Sequence, residues 1–158
     1  PQESNRRAGT ENVALLVGMG KAAQLARINL LEKQAYLLEL RDFFEQRLNS
    51  IPGIHIFAAE AERLPNTSFF AIPYYHGETL LMQLDQAGFE LASGSACHSE
   101  VTRPSHVLSA MGVPEELALN AVRVSFGMEN TRQQVEQFIE TLQGLINRLP
   151  SAMRQVAG

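Results

Sequence analysis

Helices packed on a small mixed sheet, an α+β arrangement, is the fold that three features of this 158-residue sequence predict. Apolar residues recur at a spacing near 3.6 from Asn12 to about Asn49, the mark of a long helix. Two short apolar runs between residues 54 and 72 are placed as the arms of a hairpin would be. Toward the C-terminal end, Thr131 with Gln134 three residues on opens one strongly amphipathic helix. Strands interspersed with helices in this order lay the helices on the sheet as a layer.

The elements follow along the chain. Pro1 to about Thr10 shows no helix or strand period. Its polar start without methionine fits the middle of a longer polypeptide or a trimmed terminus equally. In the long helix, Val13, Leu16, Val17, Ala22, Leu25 and Ala26, then Leu31, Ala35, Leu38 and Phe43, carry the period, with a bend expected at Gly18 and Gly20. Pro52-Gly53 stops it. Ile54–Ala58 and Thr67–Ile72 read as strands, the second ended by Pro73. Gly77–Gln86 reads as a helix with Leu80, Leu81 and Leu84 on one side and Gly88 as its stop. The short stretch Phe89–Ala92 then runs into Ser93-Gly94-Ser95-Ala96-Cys97. Pro104 suits the first turn of a short helix through Met111, closed by Gly112. Ala121–Gly127 is a strand and its stop, and Val135, Phe138, Ile139, Leu142, Leu145, Ile146 and Leu149 form the stripe of the last helix. A frayed tail is expected after Pro150.

Composition narrows the function classes. Hydrophobic residues make up 45% and charged residues 19%, which supports a core and excludes disordered and collagen-like chains. No apolar run approaches the roughly 20 residues of a membrane span, and the first residues carry no signal-peptide pattern, so a cytoplasmic protein is expected. One cysteine excludes an internal disulfide framework. A net charge of -4 gives no basic footprint for nucleic acid.

Three residues have the chemistry of a site. Cys97 lies among small residues, with no bulky apolar neighbour to bury it, which favours a reactive thiol over an inert one. His98 and Arg103 favour its thiolate and Glu100 opposes it. Cys97, His98 and His106 are one ligand short of a closed zinc site and lack its spacing, so no metal is expected. Arg123, between Val122 and Val124, is either an outward-facing arginine on a half-exposed sheet or a fork for a substrate carboxylate. Thr10 and Asn12 precede the long helix, where they can cap it or offer donors to a phosphate. The chain's two lysines, Lys21 and Lys33, fall inside the long helix, and neither is placed as a Schiff-base lysine.

Several motifs in register resemble the C-terminal part of a NifS/IscS-type cysteine desulfurase, a pyridoxal-phosphate enzyme of the class V aminotransferase family. They are Gln2-Glu3 with Arg7-Ala8-Gly9-Thr10-Glu11-Asn12, then Leu64-Pro65-Asn66-Thr67-Ser68 and Leu84-Asp85-Gln86-Ala87-Gly88. Ser93-Gly94-Ser95-Ala96-Cys97, Pro104-Ser105-His106-Val107-Leu108 with Met111-Gly112, and Arg123-Val124-Ser125-Phe126-Gly127 with Asn130-Thr131 complete the set. The resemblance implies the small C-terminal domain of a fold-type I enzyme, preceded by a long connecting helix. It implies L-cysteine as substrate, Cys97 as the nucleophile that leaves as a persulfide, and Arg123 as the grip on the substrate carboxylate. Thr10 would reach the cofactor phosphate of the other subunit in a homodimer, and an iron–sulfur scaffold protein would accept the sulfur.

The same resemblance divides the chain. Residues 1–11 would continue from a large cofactor domain, 12–50 form the connecting helix, 51–150 the small domain with the cysteine loop, and 151–158 a frayed tail. The family's Schiff-base lysine lies upstream of the Arg-x-Gly-Thr segment, so the 158-residue chain alone is expected to be inactive. Within the cysteine loop the chain departs from the pattern: Glu100 and Arg103 carry charge and no glycine follows the cysteine. Two other readings stand beside this one: a stand-alone sulfur carrier that takes persulfide on Cys97 without cofactor, and a relative acting on selenocysteine or another amino acid.

Overall fold

The computed structural model describes residues 2–93 and 103–150, in two compact units, Pro1–Gln34 and Ala35–Gly158. In the first unit the chain reverses at once. Gln2 and Arg7 pair as an isolated antiparallel bridge, and the Gln2 N–H donates to the Arg7 carbonyl at 3.1 Å. The reversal is made by Glu3, Ser4 and Asn5, at φ of 55°, 54° and 67°. Three successive non-glycine residues in the left-handed region carry a real steric cost.

Helix α1 (Val13–Ile28) starts at Asn12, whose side-chain oxygen accepts the Leu15 N–H at 3.1 Å. It runs as one continuous helix through Gly18 and Gly20. An interruption falls at Asn29, at φ −94° and ψ 6°. The asparagine N–H still donates to the Leu25 carbonyl at 3.2 Å, and its own carbonyl accepts from Lys33 at 2.9 Å, so helix α2 (Leu30–Asn49) resumes directly. A short amide that competes with the backbone makes asparagine a natural place for such a break.

The second unit is built on the second half of α2, which turns Leu37, Leu40, Phe44 and Leu48 inward at helical spacing. Strand β1 (His55–Ile56) is shorter than the predicted run and ends where Ala58 turns to φ 53°. Strand β2 (Thr67–Ala71) pairs with it antiparallel, His55 opposite Ala71. Helix α3 (Gly77–Gln86) occupies its predicted span, and the chain leaves it through Gly88 at φ 90°, with the Phe89 N–H on the Leu84 carbonyl at 2.9 Å. Strand β3 (Ala92–Ser93) follows.

Helix α4 (His106–Ala110) begins after a Ser105 cap, one residue past Pro104, so the proline stands before the first turn. Helix α5 (Glu115–Leu119) has no counterpart in the sequence reading: at five residues it is too short to show a period. Strand β4 (Ala121–Ser125) and helix α6 (Arg132–Asn147) lie as predicted. Thr131 caps α6 in a full capping box with Gln134.

The sheet order is β1-β2-β4-β3, and every pairing among the described residues is antiparallel, where the sequence predicted a mixed sheet. On one face the main core gathers Leu40, Phe44, Phe70, Leu80, Leu84, Val122, Phe138 and Leu142. Phe44 is its centre, meeting Phe70, Phe126 and Phe138 at ring separations of 6.1, 5.3 and 5.4 Å. A smaller cluster of Phe57, Ala71, Leu108, Ala118 and Ala121 seats α4 and α5.

A charged clasp closes the α2 side. The Arg63 guanidinium donates to both oxygens of Glu45 at 2.8 and 2.9 Å, and Arg41 Nη1 donates to the Leu64 carbonyl at 3.0 Å. Burial pushes the Glu45 carboxyl up, but the bond from Arg63 and the charge of Arg41 outweigh it and hold it below the usual range. The buried Ser68 hydroxyl favours the carboxylate too, although the two do not meet in hydrogen-bond geometry.

Candidate active site

Arg123 is the third residue of the five in β4. Its neighbours Val122 and Val124 are buried in the main core, while Arg123 points away from it and is exposed. Strand alternation produces this, since successive side chains take opposite faces. It is flanked in the sheet by Phe69 on β2 and Ala92 on β3. No described residue gives it a hydrogen bond or an ion pair.

Cys97 lies outside the described residues, as do His98 and Glu100. Ala92, in the strand that precedes the cysteine in the chain, sits directly across from Arg123. The strand that leads to the cysteine is thus the neighbour of the strand that carries the arginine.

The end of β4 is pinned from two directions. The Asn66 carbonyl accepts the Phe126 N–H at 2.8 Å, and Asn130 Oδ1 accepts the Gly127 N–H at 2.7 Å. The Tyr36 hydroxyl donates to the Asn130 carbonyl at 2.5 Å. Asn66 and Asn130 belong to two of the motifs quoted above, and this is what they do: they hold the turn that follows Arg123-Val124-Ser125. A groove of about 530 Å³ opens beside it, lined by Phe89, Ser125, Gln134 and Phe138 among others, and does not take in Arg123.

Thr10 stands in the first unit, exposed, two residues before the Asn12 cap of α1. Its hydroxyl bonds to no other described residue, while its carbonyl accepts from Arg7 Nη2 at 3.1 Å. Arg7 also reaches the Gly9 carbonyl at 3.3 Å and Glu11 Oε2 at 2.8 Å. The sequence reading quoted Arg7 and Glu11 inside a motif and gave them no role; their spacing of four residues was the available signal. Lys21 and Lys33 stand at exposed helix positions, Lys21 Nζ on Gln24 Oε1 at 3.1 Å. Among the described residues no three His, Cys, Asp or Glu side chains are grouped to hold a metal. None of the helices among them is long and apolar enough to cross a membrane.

Among the described residues, the Arg123 guanidinium and the Thr10 hydroxyl each have no bonded partner, and a guanidinium and a hydroxyl are groups that can donate to an anion. The chain belongs to the aminotransferase class-V family, whose model matches residues 1–138. Among curated relatives, the cysteine desulfurase IscS of Dictyoglomus turgidum is 41% identical over 149 residues, which are 94% of this chain and 38% of that protein. A cysteine desulfurase of Gluconacetobacter diazotrophicus is 43% identical over 149 residues, 94% of this chain and 37% of that one. The solved structure of a NifS-like protein from Rickettsia africae superposes with a TM-score of 0.81 at 33% identity, over 92% of this chain and 38% of that chain. The chain therefore spans under two fifths of the length of the relatives it matches.

Proposed function

We propose that this chain is the C-terminal portion of a pyridoxal-phosphate-dependent cysteine desulfurase, contributing the nucleophile and the carboxylate grip. The observation that carries the reading is Arg123: an exposed arginine without a partner among the described residues, on the face of the sheet turned from the main core, beside the strand that leads to the cysteine. The donor set fits the cofactor and substrate. Arg123 would hold the carboxylate of L-cysteine bidentately, and Thr10, from the partner copy of a homodimer, would hold the cofactor phosphate. Bound pyridoxal phosphate supplies an electron sink for the substrate carbon.

Cys97 then does the sulfur chemistry. Its thiolate attacks the substrate sulfur, an S–S bond forms, and the C–S bond breaks with its electron pair left on carbon. Carbon takes up a proton to become alanine, and the sulfur stays on Cys97 as a persulfide for an iron–sulfur scaffold protein. A carrier that received ready-made persulfide would have no use for Arg123 or for Thr10.

The whole enzyme tests the reading. Incubated with L-cysteine, it should release alanine in step with persulfide formation on Cys97, followed by mass spectrometry. Cys97→Ser should abolish the persulfide while leaving the absorbance of the bound cofactor in place. Sulfur transfer surviving in that variant would remove Cys97 from the mechanism. The 158-residue chain alone should release no sulfide from cysteine.

A further inference from the structure

Thr10 stands in a stretch with no buried side chain to hold it: every residue from Glu3 to Ile28 is exposed. What shapes the turn is one guanidinium. Arg7 Nη2 donates to the Gly9 and Thr10 carbonyls at 3.3 and 3.1 Å, while Nη1 pairs with Glu11 Oε2 at 2.8 Å. In a planar trans peptide the N–H points opposite to the carbonyl. With the carbonyls of Gly9 and Thr10 drawn toward Arg7, the N–H groups of Thr10 and Glu11 are turned away from it. Neither N–H bonds to another described residue. The two backbone donors, and the Thr10 hydroxyl beside them, have no partner among the described residues, and successive backbone N–H groups of this kind can receive a phosphate.

Charge is the second part. Glu11 adjoins Thr10, and a phosphate ester brings about 1.5 to 2 negative charges. An unpaired carboxylate there would repel it, and Arg7 cancels that carboxylate. We propose that Arg7 is a positioning residue for the cofactor phosphate, fixing the turn that presents Thr10 and neutralising Glu11 beside it. This rests on the reading of Thr10 as the phosphate contact.

The test compares dissociation constants for pyridoxal phosphate and for pyridoxal, which lacks the phosphate, in the whole enzyme. Arg7→Ala should weaken pyridoxal phosphate roughly tenfold or more and leave pyridoxal within about twofold. Adding Glu11→Gln to Arg7→Ala should recover part of the loss, because it removes the exposed charge. Arg7→Lys, which cannot span three acceptors, should give an intermediate loss of the same selectivity, and it serves if the alanine variant fails to fold. Equal weakening of both ligands, or of neither, would overturn the role of Arg7. Thr10→Ala separates the two ideas. If it removes the selectivity while the Arg7 variants do not, Thr10 keeps its role and Arg7 loses it; if it changes nothing, both are overturned.

Discussion

Arg123 owes its exposure to strand alternation. A side chain two positions from the end of β4 on the core-facing register would have been buried beside Val122 and Val124, at a cost that only an anionic partner offsets. Set outward, it keeps a planar fork whose two parallel donors match a carboxylate. Arg123→Lys in the whole enzyme should therefore raise KM for L-cysteine by roughly tenfold or more, since a point charge cannot make the paired bond. An unchanged KM in steady-state kinetics would return Arg123 to a solvent-facing strand residue. The sequence left these two roles open, because a period of two says which face a residue takes and nothing of what meets it there. The role of Arg7 was illegible for a related reason: its three acceptors include two backbone carbonyls, which no side-chain pattern encodes.

At the scale of elements, close backbone approach decides more than propensity. Gly77, the first residue of α3, is buried against the chain where α5 gives way to β4. A Cβ built there would stand 2.9 Å from the Leu119 carbonyl oxygen and 3.0 Å from that of Ala121, and these backbone atoms cannot swing aside. Gly77→Ala should cost about 1–3 kcal/mol in denaturant unfolding of the chain, despite alanine being the better helix former. A neutral or stabilising result would mean that α3 can shift at its start. Elements with a long period, α3 and α6, were legible to within a residue or so, and the Thr131 capping box could be read directly from its spacing. The two-residue strands and α5 were not, since tertiary pairing alone defines them. The Asn29 break was not legible because a lone asparagine inside a helical period carries a weaker signal than a glycine.

For the whole molecule, the clasp between α2 and the turn before β2 makes stability depend on acid. The Glu45 carboxyl lies below its usual value when folded, so its contribution is fully present above the unfolded-state value and is lost as pH falls through the folded one. The thermal midpoint should hold near neutrality and drop below about pH 4.3, the ordinary glutamate value. Arg63→Ala should flatten that acid limb while lowering the midpoint at pH 7; an unchanged slope would assign the acid sensitivity to other carboxyls. This clasp was hidden in the sequence, where Arg63 sat in what read as a charged turn. The general layout of helices on a sheet was visible because burial imposes its periods on long segments, whereas the clasp depends on residues 18 apart meeting in space.

Helix α1 raises a different matter. Val13, Leu15, Leu16, Val17, Met19, Leu25 and Ile28 all stand in solvent along it, and it buries nothing. Sixteen residues without tertiary support sit near the limit at which a helix persists in water. In the 158-residue chain its amide hydrogens should exchange with solvent orders of magnitude faster than those of α6, which Val135, Phe138, Ile139 and Leu142 anchor. Hydrogen–deuterium exchange would then divide the chain into a slow body and a fast arm, and equal protection of the two helices would show that α1 has found a cover. Folding of this stretch is in that sense conditional: its order is settled by whatever surface those seven apolar side chains eventually meet.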